Sequence, residues 1–176
     1  MKYSHWSNTT VADPYFARLL ERNAAIAYRA MLRTTFRRVV FTNGCFDVLH
    51  AGHVEYLAWA RAQGDILIVG LNGDASVRAL KGELRPIVPF AQRARLLCAI
   101  RSVDAVVGFD ELTPELLLED LRPDIHVKSD QYRAEDLPEL RVVERHGGVV
   151  RLAPHIAGTS TSGIIERVLE RFSPES

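Results

Sequence analysis

The chain has 176 residues, 47% hydrophobic and 25% charged, with 22 basic against 22 acidic side chains and a formal net charge of zero. That composition excludes repeat arrays, collagens and disordered tails, and a chain of this length buries about 70% of its unfolded surface without needing disulfides or a structural metal. With no net charge there is no general field to attract nucleic acid or an anionic membrane, so any phosphate-binding cation must be local. Its two cysteines, Cys45 and Cys98, form no C-x-x-C pair, which is the usage of a reducing compartment. Residues Met1 to Asn8 hold no apolar core, and no later stretch approaches the roughly 20 apolar residues of a membrane span. The expectation is a cytoplasmic protein, neither exported nor inserted.

In chain order, Asp13-Pro14 opens a helix, and Phe16, Leu20, Ala24, Ala27 and Met31 continue it at helical spacing. Residues 1–37 are read as an N-terminal helical extension, a packing element or the face of a homodimer, with no chemistry of its own. From Arg38 the pattern changes to short β-rich runs separated by helices, as in a parallel sheet covered on both faces. Strands are predicted at 39–42, 66–71, 105–107, 125–128 and 149–152. Helices are predicted at 53–63, 74–81, 89–100, 114–121, 137–146 and 163–171, with Thr113-Pro114 opening one and Gly64 and Gly147 closing two others. Residues 38–176 therefore read as one doubly wound, Rossmann-like α/β domain with a five-stranded parallel sheet. In such folds ligands bind beyond the carboxyl ends of the strands, where the winding reverses.

The first of those loops is the most informative. Phe41-Thr42-Asn43-Gly44-Cys45-Phe46-Asp47-Val48-Leu49-His50-Ala51-Gly52-His53 lacks the G-x-G-x-x-G spacing of dinucleotide-binding enzymes. Instead it sets His50 and His53 three residues apart, with Gly52 between them, directly before a helix. Both rings can face one way, Gly52 permits close backbone approach, and the helix start attracts anions. Two histidines at this spacing could also bind zinc, but no H-E-x-x-H motif, cysteine cluster or carboxylate partner completes a ligand set, so no metal residues are assigned.

On these residues the sequence resembles the HxGH nucleotidyltransferase superfamily, and within it most resembles the heptose 1-phosphate adenylyltransferases of ADP-heptose synthesis. The similarity covers roughly residues 38 to 170. The resemblance implies that His50 and His53, with Lys81, are catalytic, and that Thr42, Asn43, Gly44, Cys45, Phe46 and Gly52 hold the nucleotide. Lys81-Gly82-Glu83-Leu84-Arg85-Pro86 is similar to a Leu-Lys-Gly and Arg-Pro pair of that family, whose lysine neutralises phosphate charge. Arg93, on the next helix, is a further nucleotide-binding candidate. Thr159-Ser160-Thr161-Ser162-Gly163 is similar to a Ser-Thr-Thr element that holds the triphosphate, so Ser160, Thr161 and Ser162 join the set. Asp47, Asp74, Arg85 and Lys128 are carried over as acceptor-binding. Lys128-Ser129-Asp130-Gln131-Tyr132 departs from the family's Lys-Gly-Gly-Asp-Tyr-like run, which changes how closely backbone can approach a ligand there.

The implied reaction is attack by a sugar 1-phosphate on the α-phosphorus of ATP, with Mg²⁺ as cofactor and pyrophosphate leaving. A nucleotide and a sugar phosphate are then the partners, with no nucleic acid or membrane, and a separate sugar kinase supplies the acceptor. The rival reading is a cytidylyltransferase acting on glycerol 3-phosphate or a similar alcohol phosphate. Arg101-Ser102-Val103-Asp104 resembles the Arg-Tyr-Val-Asp element of those enzymes, although His155 stands where many of them have arginine. From other classes, a non-catalytic nucleotide-binding module and a zinc hydrolase stay open.

Overall fold

The computed structural model describes residues 18–131, 133, 137–154, 158 and 160–172. Its elements run β1 (Arg18–Leu20), α1 (Arg22–Thr34), β2 (Val39–Gly44), α2 (Ala51–Arg61), β3 (Ile66–Asn72), α3 (Asp74–Lys81), α4 (Phe90–Cys98), β4 (Ala105–Phe109), α5 (Glu115–Leu121), β5 (Ile125–Ser129), α6 (Glu139–Arg145), β6 (Val149–Ala153) and α7 (Thr161–Phe172). All strand pairs are parallel, in the order β1-β4-β3-β2-β5-β6. The chain winds outward from β2 through β3 to β4, then returns to β5 on the other side. The reversal therefore falls between β2 and β5, paired through Val40↔Ile125 to Thr42↔Val127.

The continuous apolar runs of β2, β3 and β4 are explained by burial on both faces. Val40, Leu67, Val69 and Val106 pack with Leu57 and Ala60 of α2 and Ala94 and Leu97 of α4. Val39, Phe41, Ile68 and Val107 pack with Ala25 and Leu32 of α1, Leu117 and Leu118 of α5 and Val142 and Val143 of α6. Alternation along each strand sends neighbouring residues to opposite cores.

The doubly wound α/β architecture is as expected, but the sheet has six strands rather than five. Leu20, expected on a helix, lies instead in β1, opposite Val107 of β4, and the helix begins at Arg22. The outer edge of β4 presents unpaired backbone groups to any adjacent extended segment, and that pairing overrides apolar periodicity in three residues. Asp13, Pro14 and Phe16 lie outside the described residues. Arg29, buried on α1, donates to the carbonyls of Leu121 and Arg122 at the end of α5 and pairs with Asp124 at 3.0 Å, fastening helix to helix. Among the described residues no helix is long and apolar enough to cross a membrane.

Candidate active site

The carboxyl ends of β2 and β5 open into a cleft of about 650 Å³, walled by residues of the β2–α2 loop, the α3–α4 segment, the β4–α5 loop, β5, α6 and the start of α7. It lies where the winding reverses. From β2 and its loop come Asn43, Gly44, Cys45, Phe46, Asp47, His50, Gly52 and His53. From later segments come Lys81, Arg85, Lys128, Ser160, Thr161 and Ser162. Asn43 and Ser162, 119 positions apart in sequence, thus share one space.

His50 is the residue before α2, extended at φ −143°, and no side chain caps the helix. The His53 amide bonds the His50 carbonyl at 2.9 Å, and the helix start, with no side-chain acceptor of its own, attracts anions. The rings of His50 and His53 stack with centroids 3.8 Å apart, and Phe46 packs on His53 at 5.3 Å. Phe46 itself has φ +43°, a left-handed backbone that a bulky residue adopts only under constraint, here set by its buried ring. Burial, reinforced by neighbouring His50, pushes His53 down to about 4, and burial lowers His50 as well. At neutral pH both imidazoles are uncharged. Each has a buried Nδ1 with no hydrogen-bond partner. A proton there would be a buried orphan donor, so the favoured tautomer carries it on Nε2.

The charged residues divide into those on the cleft wall and those that brace it. Lys81 ends α3, is exposed, and is followed by Gly82 at φ +96°, a conformation that stops the helix and that glycine adopts without strain. Arg85 lines the cleft, but its guanidinium is paired with the buried carboxylate of Asp47. That carboxylate also accepts the Ile87 and Val88 amides at 3.0 and 2.8 Å. Burial opposes ionisation of Asp47, yet these amides and Arg85 outweigh it and hold its pKa below the usual carboxylate range. Lys128 Nζ lies 3.0 Å from Glu139 Oε1 and 3.4 Å from Asn43 Oδ1.

Three of the expected ligand-binding residues brace the cleft from behind and are absent from its walls. Thr42, fully buried, donates its hydroxyl to the Val127 carbonyl at 2.9 Å and shares a hydrogen bond with Tyr56, tying β2 to β5 and α2. Arg93, also fully buried, donates to the carbonyls of Val88 and Cys45 and to Asp74. Asp74 accepts from Arg93 and from the Phe90 amide, locking α3 to α4. A buried guanidinium needs its donors satisfied internally, and that requirement consumes Asp74.

At the start of α7, Ser160 Oγ accepts the Gly163 amide at 3.0 Å, while the Thr161 hydroxyl donates to the Val48 carbonyl at 3.3 Å. Thr161 thereby holds this helix start against the histidine loop. Thr159, Tyr132 and His155 lie outside the described residues. Asp104, from the Arg101–Asp104 run, accepts the Leu67 amide and pairs with Arg61 at the start of β3, the end of the sheet away from the cleft. It does not line the cleft. Burial raises the Cys45 thiol, which disfavours the thiolate a nucleophile needs.

Tyr56 and Glu139 also line the cleft and were not anticipated. Tyr56 reads in sequence as an ordinary helix aromatic. Glu139 reads as a first-turn acid favourable to its helix dipole.

A parallel sheet with its anion-receptive loop at the switch point, paired histidines and hydroxyls at a second helix start defines an α/β nucleotidyltransferase. Residues 41–167 match the family described as Cytidylyltransferase-like, and the chain belongs to that family. It is 53% identical over 137 residues to the Bifunctional protein HldE of Pelobacter propionicus, covering 78% of this chain and 28% of that protein. The HldE of Geobacter sulfurreducens is 50% identical over 139 residues, covering 79% and 28%. That of Pseudomonas aeruginosa is 51% identical over 134 residues, covering 76% and 28%. The chain thus spans under a third of the length of these relatives. Two solved structures share the fold. The lipopolysaccharide core biosynthesis protein of Thermoplasma volcanium has a TM-score of 0.57 at 24% identity, covering 68% of this chain and 97% of that one. The pantoate-beta-alanine ligase of Francisella tularensis has a TM-score of 0.55 at 12% identity, covering 84% and 69%.

Proposed function

We propose that the protein transfers AMP from ATP to D-glycero-β-D-manno-heptose 1-phosphate, giving ADP-heptose and pyrophosphate. The observation that carries this reading is the convergence, in one cleft, of the stacked His50–His53 pair, Lys81 and the Ser160–Ser162 helix start. The identity of about half of the aligned residues to HldE proteins supports the heptose acceptor and adenylyl transfer.

A phosphate oxygen of the sugar forms a bond to the α-phosphorus as the bond to the β-phosphate oxygen breaks, and pyrophosphate departs with that electron pair. The attacking phosphate is already ionised, so no protein nucleophile or base is required. The protein holds two anions in line and donates hydrogen bonds to oxygens whose charge grows in the transition state. His50 and His53, with Lys81, take that role. Asn43, Gly44, Cys45, Phe46, Gly52 and Ser160 to Ser162 enclose the nucleotide. Arg85, set by Asp47, and Lys128 face the acceptor. Thr42, Asp74 and Arg93 act by holding these groups in place.

Among the described residues no group of three or more His, Cys, Asp or Glu side chains could hold a metal ion. Mg²⁺, which usually relies on substrate oxygens and water, would on this reading come with the triphosphate and neutralise its charge. The reading places the chemistry in residues 38–176, which supply every described residue lining the cleft. The reading places the protein in the cytoplasm, dependent on a sugar kinase for its substrate and feeding lipopolysaccharide synthesis.

The test is pyrophosphate release with each NTP against heptose 1-phosphate and glycerol 3-phosphate. ATP with the heptose phosphate should exceed every other pair by at least about a hundredfold in kcat/KM. A preference for CTP and glycerol 3-phosphate would replace this reading with cytidylyl transfer.

A further inference from the structure

The wall of the cleft formed by β5 and α6 carries a buried carboxylate to which the proposed phosphate chemistry assigns no role. Glu139, 3% exposed, lines the cleft and engages Lys128 through Oε1. Its second oxygen, Oε2, is buried and has no hydrogen-bond partner. A carboxylate oxygen out of water with nothing to accept is unfavourable unless a donor arrives with the substrate. A phosphate offers no such donor at neutral pH and is repelled by the carboxylate. A hydroxyl supplies one.

We infer that Glu139 is a specificity-determining residue that accepts a hydrogen bond from a hydroxyl group of the acceptor sugar. This rests on the sugar-phosphate reading above and adds an orientation to it. The sugar ring lies against the β5–α6 wall, with Lys128 donating beside Glu139, and the sugar's phosphate points toward Lys81 and the histidine pair. Asn43, 3.4 Å from Lys128 on the neighbouring strand, couples this wall to the nucleotide loop.

The experiment measures steady-state pyrophosphate release by the full chain with Mg-ATP, heptose 1-phosphate and the corresponding monodeoxy sugar phosphates. With the unaltered protein, one deoxy analogue should show a KM at least about tenfold higher, the size expected for leaving a buried polar group unpaired. Glu139→Ala should raise the KM for the parent sugar similarly while leaving that for ATP within about twofold, and the sensitive deoxy analogue should suffer no further loss. Glu139→Gln, which keeps an accepting oxygen, should recover part of the loss. Every deoxy analogue matching the parent within about twofold would overturn the assignment, as would an equal rise in both KM values for Glu139→Ala. The analogue series uses only the unaltered protein and decides the matter even if a variant fails to fold. If the unaltered protein released pyrophosphate with no sugar phosphate at all, the underlying reading would fall, and this one with it.

Discussion

His126 sets an acid limit on the stability of this fold. It sits in β5, fully buried, stacked on Phe41 at 5.6 Å, and neither ring nitrogen has a hydrogen-bond partner. Desolvation first, and the nearby Lys128 second, lower its pKa from 6.5 to about 3. A histidine whose folded pKa lies below its unfolded value contributes full stability above the unfolded value, and that contribution is lost as the pH falls from 6.5 toward 3. At pH 5 the unfolded ring is protonated and the folded ring is not, a gap of about 1.5 pH units or about 2 kcal/mol. Replacement by leucine, of similar volume, removes the titration and the two orphaned nitrogens. His126→Leu should therefore match or exceed the parent by about 1 kcal/mol at pH 7.5 and lose about 2 kcal/mol less than the parent on going to pH 5. Urea unfolding at the two pH values, with unchanged m-values, measures both quantities. Equal losses in the two proteins would refute the reasoning, because they would mean that the buried ring is charged or hydrated in the folded state.

Three further outcomes follow from the cleft. His53→Ala should leave thermal unfolding nearly unchanged and lower the turnover number by about a hundredfold, the effect of removing one preorganised donor, as read by pyrophosphate release. Asp47→Ala leaves the Arg85 guanidinium unpaired and the Ile87 and Val88 amides without an acceptor, so it should cost about 3 to 5 kcal/mol in urea unfolding, with Asp47→Asn costing less. Lys81→Met, at an exposed position, should lower kcat/KM for ATP by about tenfold without moving the melting temperature.

The histidine loop was legible because its chemistry is local: residues 43 to 53 are contiguous, and their spacing alone turns two imidazoles toward one helix start. The sheet was legible for the same reason, since strands buried on both faces show as uninterrupted apolar runs. What sequence could not separate was which polar side chains face a ligand and which face one another. Arg93 and Asp74 are chemically suited to phosphate and sugar. They are instead consumed by a strut whose third member, the Cys45 carbonyl, comes from a loop 48 residues away. Thr42 is lost to the site for the same reason, through Val127 on the adjacent strand. Glu139 shows the opposite error, a residue that looks like helix-dipole decoration until β5 brings Lys128 beside it. β1 was missed because its only signal, an available edge on β4, is written in another part of the chain.

These pairings determine the charge with which the cleft meets its substrates. Lys81, Arg85 and Lys128 face Asp47 and Glu139, while the two imidazoles are neutral. On the proposed reaction the cleft binds two polyanions, and its described lining carries only a small excess of positive charge. Strong fixed cations would bind ATP, pyrophosphate and the transition state about equally, and such uniform binding does not lower the chemical barrier. Neutral donors aimed from a desolvated wall behave differently, since each hydrogen bond strengthens as charge accumulates on the oxygen it reaches. On the proposed reaction, burial of His53 has a catalytic meaning. It keeps the ring uncharged in the free protein and reserves its contribution for the oxygens that gain charge as the pyrophosphate bond breaks.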